Sequence, residues 1–290
     1  MSSSKVAAKR TVLITGCSDG GLGAALAIAF HEAGLHVYAT ARNPSKMEQL
    51  AALGIETMTL DVSSEESIAA CVSKLPGLDI LVNNAGAVMT MPVADTSILE
   101  AKKLFDLNVW SSVAMVQAFL PLLLKSPHKG MIVNQTSIAS VLVVPFGAAY
   151  AAAKAAAAMF SNGMRLELDV FGIKVIELKT GVVRSNLIKN NKENPDRQPV
   201  LPEGSIYTPA KEIVEKSMRQ DEFTEAGMDQ TQWAKLVVGD LLKKNPPHVI
   251  WRGESALLAR IGSVLPFGTL DGPVKKATLM DKVEEVIKRN

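Results

Sequence analysis

Short apolar runs alternate with longer helical stretches along most of the chain, and the alternation continues past residue 180 without a linker. Strands separated by helices of this length predict a parallel sheet with right-handed crossovers. We therefore expect an α/β fold in which residues 10–290 form a single doubly wound domain around a seven-stranded parallel sheet. The predicted strands are Thr11–Thr15, His36–Ala41, Glu56–Leu60, Ile80–Val82, Met131–Thr136, Lys174–Leu178 and His248–Trp251. The clearest predicted helices are Leu22–Ala33, about Lys102–Lys125 and an alanine-rich helix that ends near Asp169.

Composition narrows the class of protein. Of 290 residues, 48% are hydrophobic and 21% charged, so a sizeable core is available and disorder is not expected. The formal net charge is +2 and no long basic run occurs, which argues against nucleic acid as the main partner. The two cysteines, Cys17 and Cys71, exclude a disulfide scaffold. Residues 2–10 lack the apolar core of a secretory signal, and we expect a reducing, cytoplasmic location.

Membrane contact is expected only at the surface of the protein, if at all. No run of about 20 apolar residues is evident, so a spanning helix is not predicted. The nearest candidate is Ala256–Leu270, which Arg260 and Pro266 interrupt. We interpret it as an amphipathic helix that caps the core, inside a C-terminal helical extension at about 254–290. Peripheral contact with the endoplasmic reticulum or a lipid-droplet surface is the alternative.

Tyr150 and Lys154 lie four residues apart in the alanine-rich stretch, which places both side chains on one face of a helix. A phenol has an ordinary pKa of about 10 and is a poor proton shuttle at neutral pH. A neighbouring ammonium favours the phenolate and brings that pKa towards neutrality. The spacing gains weight because Ser137 ends an apolar run upstream, and a glycine-rich turn follows the first strand.

Together these features resemble the short-chain dehydrogenase/reductase family, over about residues 10–185 and more weakly beyond. The resemblance implies a Rossmann fold, a nicotinamide cofactor and hydride transfer to a carbonyl carbon. Several independent motifs in the family's order carry it. They are Thr15–Gly23, Asp61-Val62, Asn83-Asn84-Ala85-Gly86, Asn108, Ser137, Tyr150 and Lys154.

The glycine turn is expected to hold the pyrophosphate of the cofactor, because glycine lets the backbone approach and the helix N-terminus meets the charge. The family pattern fits only with one extra residue, since Gly16 and Gly21 are five positions apart instead of four. Either Gly20 or Gly21 is therefore the phosphate contact. Counted from the C-terminal end of the motif, the implied cofactor contacts are Gly16, Ser18, Gly21, Leu22 and Gly23.

The end of strand two indicates which nicotinamide cofactor is used. NAD enzymes usually place an acidic residue there to hold the ribose hydroxyls. This chain has Arg42 instead, and a guanidinium pairs well with the 2′-phosphate of NADP. We therefore predict NADPH/NADP+; a solvated surface arginine is the alternative interpretation.

Other cofactor contacts follow from the resemblance alone. Thr180 replaces the proline of the family's Pro-Gly motif after strand six, which loosens that turn. The implied contacts are Asp61 and Val62 for the adenine, Asn83, Ala85 and Gly86 for the floor of the adenosine side, and Val183 and Ser185 for the carboxamide.

The resemblance also implies four catalytic roles. Tyr150 donates the proton, and Ser137, thirteen residues earlier, hydrogen-bonds the substrate oxygen. Lys154 holds the nicotinamide ribose and lowers the pKa of Tyr150. Asn108 anchors a water that links Lys154 to solvent. Because all four positions are filled, we expect an active reductase; an NADP(H)-binding module without catalysis is the lesser alternative.

The substrate is the least determined feature. Residues of about 186–231 are expected to form a lid, and residues 201–207 together with Trp251-Arg252-Gly253 resemble 1-acyldihydroxyacetone-phosphate reductases. A lipid-like ketone is therefore the first expectation, and a polyketide, steroid or other secondary-metabolite ketone is the alternative. Four cations are either partners for a substrate phosphate or a solvated face: Arg184, Lys189, Lys192 and Arg197. The apolar lid residues are Leu187, Ile188, Val200, Leu201, Ile206, Tyr207 and Phe223.

Self-association is a further expectation. The family pairs through the long helices before and after strand five, and the small-residue face Ala148–Ala158 would allow close contact between helices. A homo-dimer or homo-tetramer is therefore expected, although internal packing would explain the same face.

Overall fold

The computed structural model describes residues 9–193, 198–221, 226–266 and 268–289. Seven strands form one sheet in the order β3-β2-β1-β4-β5-β6-β7, and every neighbouring pair is parallel. This confirms the predicted α/β doubly wound fold. The strands are β1 (Thr11–Thr15), β2 (His36–Ala41), β3 (Glu56–Thr59), β4 (Ile80–Asn83), β5 (Met131–Ser137), β6 (Lys174–Thr180) and β7 (Val249–Arg252).

Helices follow most of the strands and cover both faces of the sheet. Their bounds are α1 (Leu22–Glu32), α2 (Glu48–Ala52), α3 (Glu65–Val72), α4 (Ile98–Phe105), α5 (Ser111–Leu124), α6 (Ala148–Leu168), α7 (Leu187–Lys192), α8 (Lys211–Arg219), α9 (Gln230–Leu241), α10 (Ala256–Gly262), α11 (Asp271–Ala277) and α12 (Met280–Arg289). The predicted long helix begins earlier than expected, because the Ser97 hydroxyl caps the amide of Glu100. A π-helical turn, Asp106–Trp110, joins α4 to α5.

Successive side chains of each strand point to opposite faces of the sheet, which divides the core into two layers. On one face, Val12 and Ile14 of β1 pack with α1 and with the fully buried Trp233 of α9. On the other face, Leu13 packs in a layer that includes Phe119 of α5. Both layers are apolar, as expected of parallel strands that are buried on both sides.

The stretch from Ile98 to Leu124 is long and apolar enough to cross a membrane by length and composition, although no spanning helix was predicted. No charged residue occurs from Leu107 to Leu124. In the fold, Met115, Phe119 and Leu123 of this stretch are buried against the sheet. The core helix of a globular domain has the same composition, and 39% of the apolar window is buried, whereas Trp110 and Leu124 remain exposed.

A smaller third cluster lies beside the sheet and joins the segment after β6 to the C-terminal helices. Leu201, Val214 and Met218 pack there with Val283 of α12 and with Phe146. The lid and the C-terminal extension remain predictions, and Phe223 lies outside the described residues. The cluster shows that the two segments share an apolar contact next to the loop that precedes α6.

The helices expected to pair between copies carry exposed aromatic side chains. Trp110 and Phe160 are in edge-to-face contact, with ring centroids 5.4 Å apart, and their exposed fractions are 53% and 38%. Met159 beside them is also exposed. The predicted dimer or tetramer stays a prediction.

A buried ion pair joins the carboxyl ends of β5, β6 and β7. The Lys179 ammonium lies 2.5 Å from the Glu177 carboxylate, and both side chains are nearly inaccessible. Lys179 also donates to the Ser140 hydroxyl at 2.8 Å and lies over the Trp251 ring. The Thr136 hydroxyl donates to Glu177 at 2.8 Å. The network therefore ties Ser140, which follows β5, to β6 and β7.

Removing one charge from this pair leaves the other buried and unpaired. We expect Lys179→Met to lower the free energy of unfolding by about 3–5 kcal/mol in a urea titration. Lys179→Met combined with Glu177→Gln should recover much of that loss. The control is Lys235→Met, which breaks an exposed pair with Glu32 and should cost less than about 1 kcal/mol. Equal effects of the two single substitutions would contradict the assignment.

Candidate active site

The glycine turn after β1 is held in a conformation that requires glycine. Gly16 has a φ of 73°, and a Cβ there would lie 2.9 Å from the Cα of Ala85. A Cβ on Gly23 would lie 2.5 Å from the Asn84 side chain. Gly21 caps α1 without a side-chain hydrogen bond, so this residue leaves the first amides of the helix without a side-chain acceptor. This arrangement provides donors for an anion.

The extra residue in the turn packs against the start of the predicted lid. Gly20 has a φ of 74°, and a Cβ there would lie 2.5 Å from the side-chain nitrogen of Asn186. The Asn186 side-chain nitrogen donates to the backbone carbonyl of Asp19 at 3.0 Å. The Asn186 backbone amide donates to the backbone carbonyl of Gly20 at 3.3 Å. The longer turn is therefore braced by a residue far along the chain.

The Asn-Asn-Ala-Gly turn after β4 is fastened to the glycine turn. The Thr15 hydroxyl accepts from the amides of Asn84 and Ala85 at 3.0 and 2.9 Å. The Asn84 side chain donates back to the carbonyl of Thr15 at 2.6 Å. The two turns therefore form one wall at the carboxyl end of the sheet.

A cleft of about 540 Å³ runs along the carboxyl ends of β1 to β6, where parallel α/β folds bind ligands. It collects most of the predicted site residues. Those lining it are Gly16, Ser18, Gly21, Leu22, Arg42, Asp61, Val62, Ala85, Gly86, Ser137, Tyr150, Lys154, Val183 and Ser185.

Three predicted residues support the cleft instead of lining it. Gly23 is buried in α1 against Asn84. The Asn83 side-chain nitrogen donates to the side-chain oxygen of Asn134 at 2.9 Å, and its contact with the adenosine side stays a prediction. Asn108 is buried in the π-helical turn, and its side chain pairs with both backbone groups of Ala87 at 2.9 Å.

Ser137, Tyr150 and Lys154 converge in the cleft. Ser137 is the last residue of β5, and its hydroxyl accepts from the amide of Ala139 at 3.1 Å. Tyr150 lies in the first turn of α6, and its phenol is near enough to the Ser137 hydroxyl for that group to lower the pKa of Tyr150. The Lys154 ammonium, one turn later, lies 5.8 Å from the centre of the Tyr150 ring. A proton donor, a second hydroxyl and a cation therefore share one pocket.

Gly86 makes room for the Lys154 ammonium. A Cβ at this position would lie 2.8 Å from the Asn108 side-chain oxygen and 3.5 Å from the Lys154 nitrogen. The ammonium is buried and donates to the carbonyl of Gln135 at 3.2 Å. The π-helical turn is what brings Asn108 to this point, and such turns are common at functional sites.

Burial sets the protonation of the two titratable groups. It lowers the pKa of Lys154 to about 8. It raises the pKa of Tyr150, and the hydrogen bond with Ser137 opposes this only in part. The predicted lowering of the Tyr150 pKa by Lys154 is therefore not found, because the cation lies over the ring side and desolvation dominates. A phenol that stays protonated at neutral pH is suited to donating a proton.

Two cations line the cleft beyond β2. Arg42 directly follows the strand and is exposed, and Lys46 lies in the short 3-10 turn after it. Among the residues that the structure describes, neither side chain forms an ion pair. Lys46 was missed from the sequence because nothing in its local pattern distinguishes it from a solvated lysine.

The two cysteines are unpaired and unsuited to chemistry. Both are buried, and burial raises the pKa of Cys17 to about 12 and that of Cys71 to about 11. Neither thiol takes part in the site.

The fold and this site define a nicotinamide-dependent oxidoreductase. Residues 10–196 match the short chain dehydrogenase family, and the chain belongs to the short-chain dehydrogenase/reductases.

Relatives and solved structures agree with this assignment over nearly the whole chain. A short-chain dehydrogenase/reductase of Pestalotiopsis microspora is 56% identical over 98% of this chain and 99% of its own. An NADPH-dependent 1-acyldihydroxyacetone phosphate reductase of Schizosaccharomyces pombe is 36% identical, over 89% and 90%. A short-chain dehydrogenase structure from Streptomyces avermitilis superposes with a TM-score of 0.73 at 27% identity, covering 96% and 98%.

The phenol of Tyr150 is the predicted proton donor. We expect Tyr150→Phe to lower turnover about 100-fold or more while the affinity for reduced cofactor, measured by fluorescence titration, changes little. Tyr38→Phe, in buried strand β2, is the matched control and should keep its turnover. A Tyr150→Phe variant with most of its turnover would remove the residue from the mechanism.

The lowered pKa of Lys154 predicts how activity depends on pH. Below about 8 the group is a charged donor, and above it the charge is lost. Ketone reduction and cofactor affinity should therefore fall as pH rises through about 8, before Tyr150 titrates. Lys154→Arg keeps the charge and should shift the inflection upwards. A pH profile of kcat/KM for the two proteins checks this, and identical profiles would contradict it.

Proposed function

We propose that this protein reduces a ketone to a secondary alcohol with NADPH. The observation that carries the proposal is the convergence of Ser137, Tyr150 and the buried Lys154 in one cleft at the carboxyl end of the sheet. Hydrogen-bond donors and a positive charge of this kind stabilise a carbonyl oxygen that gains negative charge during reduction.

A bound nicotinamide cofactor supplies the hydride. The Tyr150 phenol, protonated because its pKa is raised, donates its proton to the carbonyl oxygen. The Ser137 hydroxyl hydrogen-bonds the same oxygen and orients it. The Lys154 ammonium would hold the ribose hydroxyls of that cofactor, and Asn108 and Gly86 keep the pocket of the ammonium in shape.

The residues of the cleft fit a dinucleotide. A Cβ at Gly16 would fill the space beside the glycine turn, so the backbone there can approach a ligand closely. The uncapped N-terminus of α1 provides amide donors for a pyrophosphate. Arg42 and Lys46 place two positive charges where a 2′-phosphate would lie, and β2 ends without an acidic residue. These features support NADPH over NADH.

The charges of the lid region favour an uncharged substrate. Arg184 faces Asp229 at 3.6 Å, and Lys189 faces Glu193 at 3.9 Å. Lys192 pairs with Asp221. The described cations that were candidates for a substrate phosphate therefore already face carboxylates; Arg197 lies outside the described residues.

The loop between the two catalytic segments is apolar. Val141, Val143 and Val144 are exposed between Ser137 and Tyr150. Together with the paired lid charges, this supports a ketone of the polyketide or other secondary-metabolite type. The phosphorylated lipid ketone, expected first from the sequence, becomes the competing proposal, since the relative that acts on it is only 36% identical.

A substrate panel tests the proposal. Purified protein is supplied with NADPH or NADH and with aromatic polyketide ketones, steroid ketones or 1-acyldihydroxyacetone phosphate, and cofactor oxidation is followed by absorbance. Turnover of ring ketones with NADPH is expected. Turnover confined to the acyl phosphate would restore the lipid proposal. NADPH binding without turnover of any ketone would favour a non-catalytic binding module.

Arg42 should account for the choice of cofactor. We expect Arg42→Ala to weaken NADPH binding about 10- to 100-fold, the loss of a charge-assisted hydrogen bond, and to leave NADH binding nearly unchanged. Arg165→Ala removes an exposed guanidinium that contacts Asn162 on α6 and serves as the control. Calorimetric titration measures both affinities. Equal losses for the two cofactors would show that Arg42 does not contact the 2′-phosphate.

A further inference from the structure

Two buried side-chain oxygens on one wall of the cleft have no hydrogen-bond partner among the described residues. They are Thr180 Oγ1 and Gln135 Oε1. Thr180 is only 6% exposed, and both residues line the cleft. A buried polar atom that stays unpaired is costly, so such atoms normally meet a partner when the site is in use.

The sheet places these oxygens at the reacting end of the cleft. Thr180 is the register partner of Ser137, so the two side chains lie side by side on the same face. Gln135 is two residues before Ser137 and projects to that face as well. The backbone here is fixed, because the Gly181 amide donates to the carbonyl of Arg252 at 2.8 Å. A Cβ on Gly181 would lie 2.2 Å from the carbonyl oxygen of Glu254.

Thr180 stands where the family motif has proline, which offers only hydrocarbon. A threonine hydroxyl both donates and accepts a hydrogen bond. A nicotinamide carboxamide has one group of each kind, and the segment that follows, with Val183 and Ser185, lines the same cleft. We propose that the Thr180 hydroxyl hydrogen-bonds the carboxamide of the bound cofactor, an inference that rests on the proposed function.

The test separates the two halves of the cofactor. Thr180→Val keeps the shape and removes the hydroxyl, whereas Thr180→Ser keeps the hydroxyl. Affinities are measured by calorimetry for NADPH and for adenosine 2′,5′-bisphosphate, which lacks the nicotinamide. Thr180→Val should weaken NADPH binding about fivefold to tenfold and leave the bisphosphate affinity unchanged. Thr180→Ser should bind NADPH nearly as the unmodified protein does.

Three results would overturn the proposal. Unchanged NADPH affinity in Thr180→Val would mean that the hydroxyl does not meet the cofactor; a raised KM for the ketone in the same variant would assign it to the substrate. An equal loss for both ligands would mean a structural role. The unmodified protein tests the proposed function separately, because a preference for NADH there would refute NADPH use. In that case the affinities of the Thr180 variants would be compared for NADH and for ADP.

Discussion

The buried ammonium of Lys154 is the constraint on which the rest of the site depends. A charge out of water must be hydrogen-bonded, and here the carbonyl of Gln135 at the end of β5 accepts from it. Gly86 leaves the space that the ammonium occupies, and the π-helical turn brings the Asn108 side chain to the same side of that glycine. Three segments that are distant in the sequence therefore meet at one charge. Burial by these segments lowers the pKa of the ammonium to about 8.

The fold was largely predictable because strands buried on both faces must be apolar throughout. The ends of β5 and β6 were less predictable. The strands predicted from the sequence end at Thr136 and Leu178, whereas backbone pairing continues to Ser137 and Thr180. Those extra pairs are what align the site. The π-helical turn was not predicted, since one additional residue in a helical turn leaves no mark on the pattern of residue types.

The site was predictable wherever a residue meets a local demand, such as a glycine at a tight turn or a Tyr and Lys one helical turn apart. It was not predictable where tertiary contacts decide. Lys46 and Asn186 reach the cleft only through the fold, and the spacing of Tyr150 and Lys154 carries no information on their burial. The lid cations illustrate the same point, because their acidic partners lie on other turns of the chain or in other segments.

The contact between Gly20 and Asn186 has a consequence for how this sequence varies. The inserted position in the glycine turn cannot accept a side chain, because the nearest atom belongs to a residue 166 positions away. Asn186 in turn owes two of its hydrogen bonds to the shape that the insertion gives the turn. The length of the turn and the identity of residue 186 are thus structurally linked in this chain, and a chimaera that exchanges only one of the two segments would lose the contact.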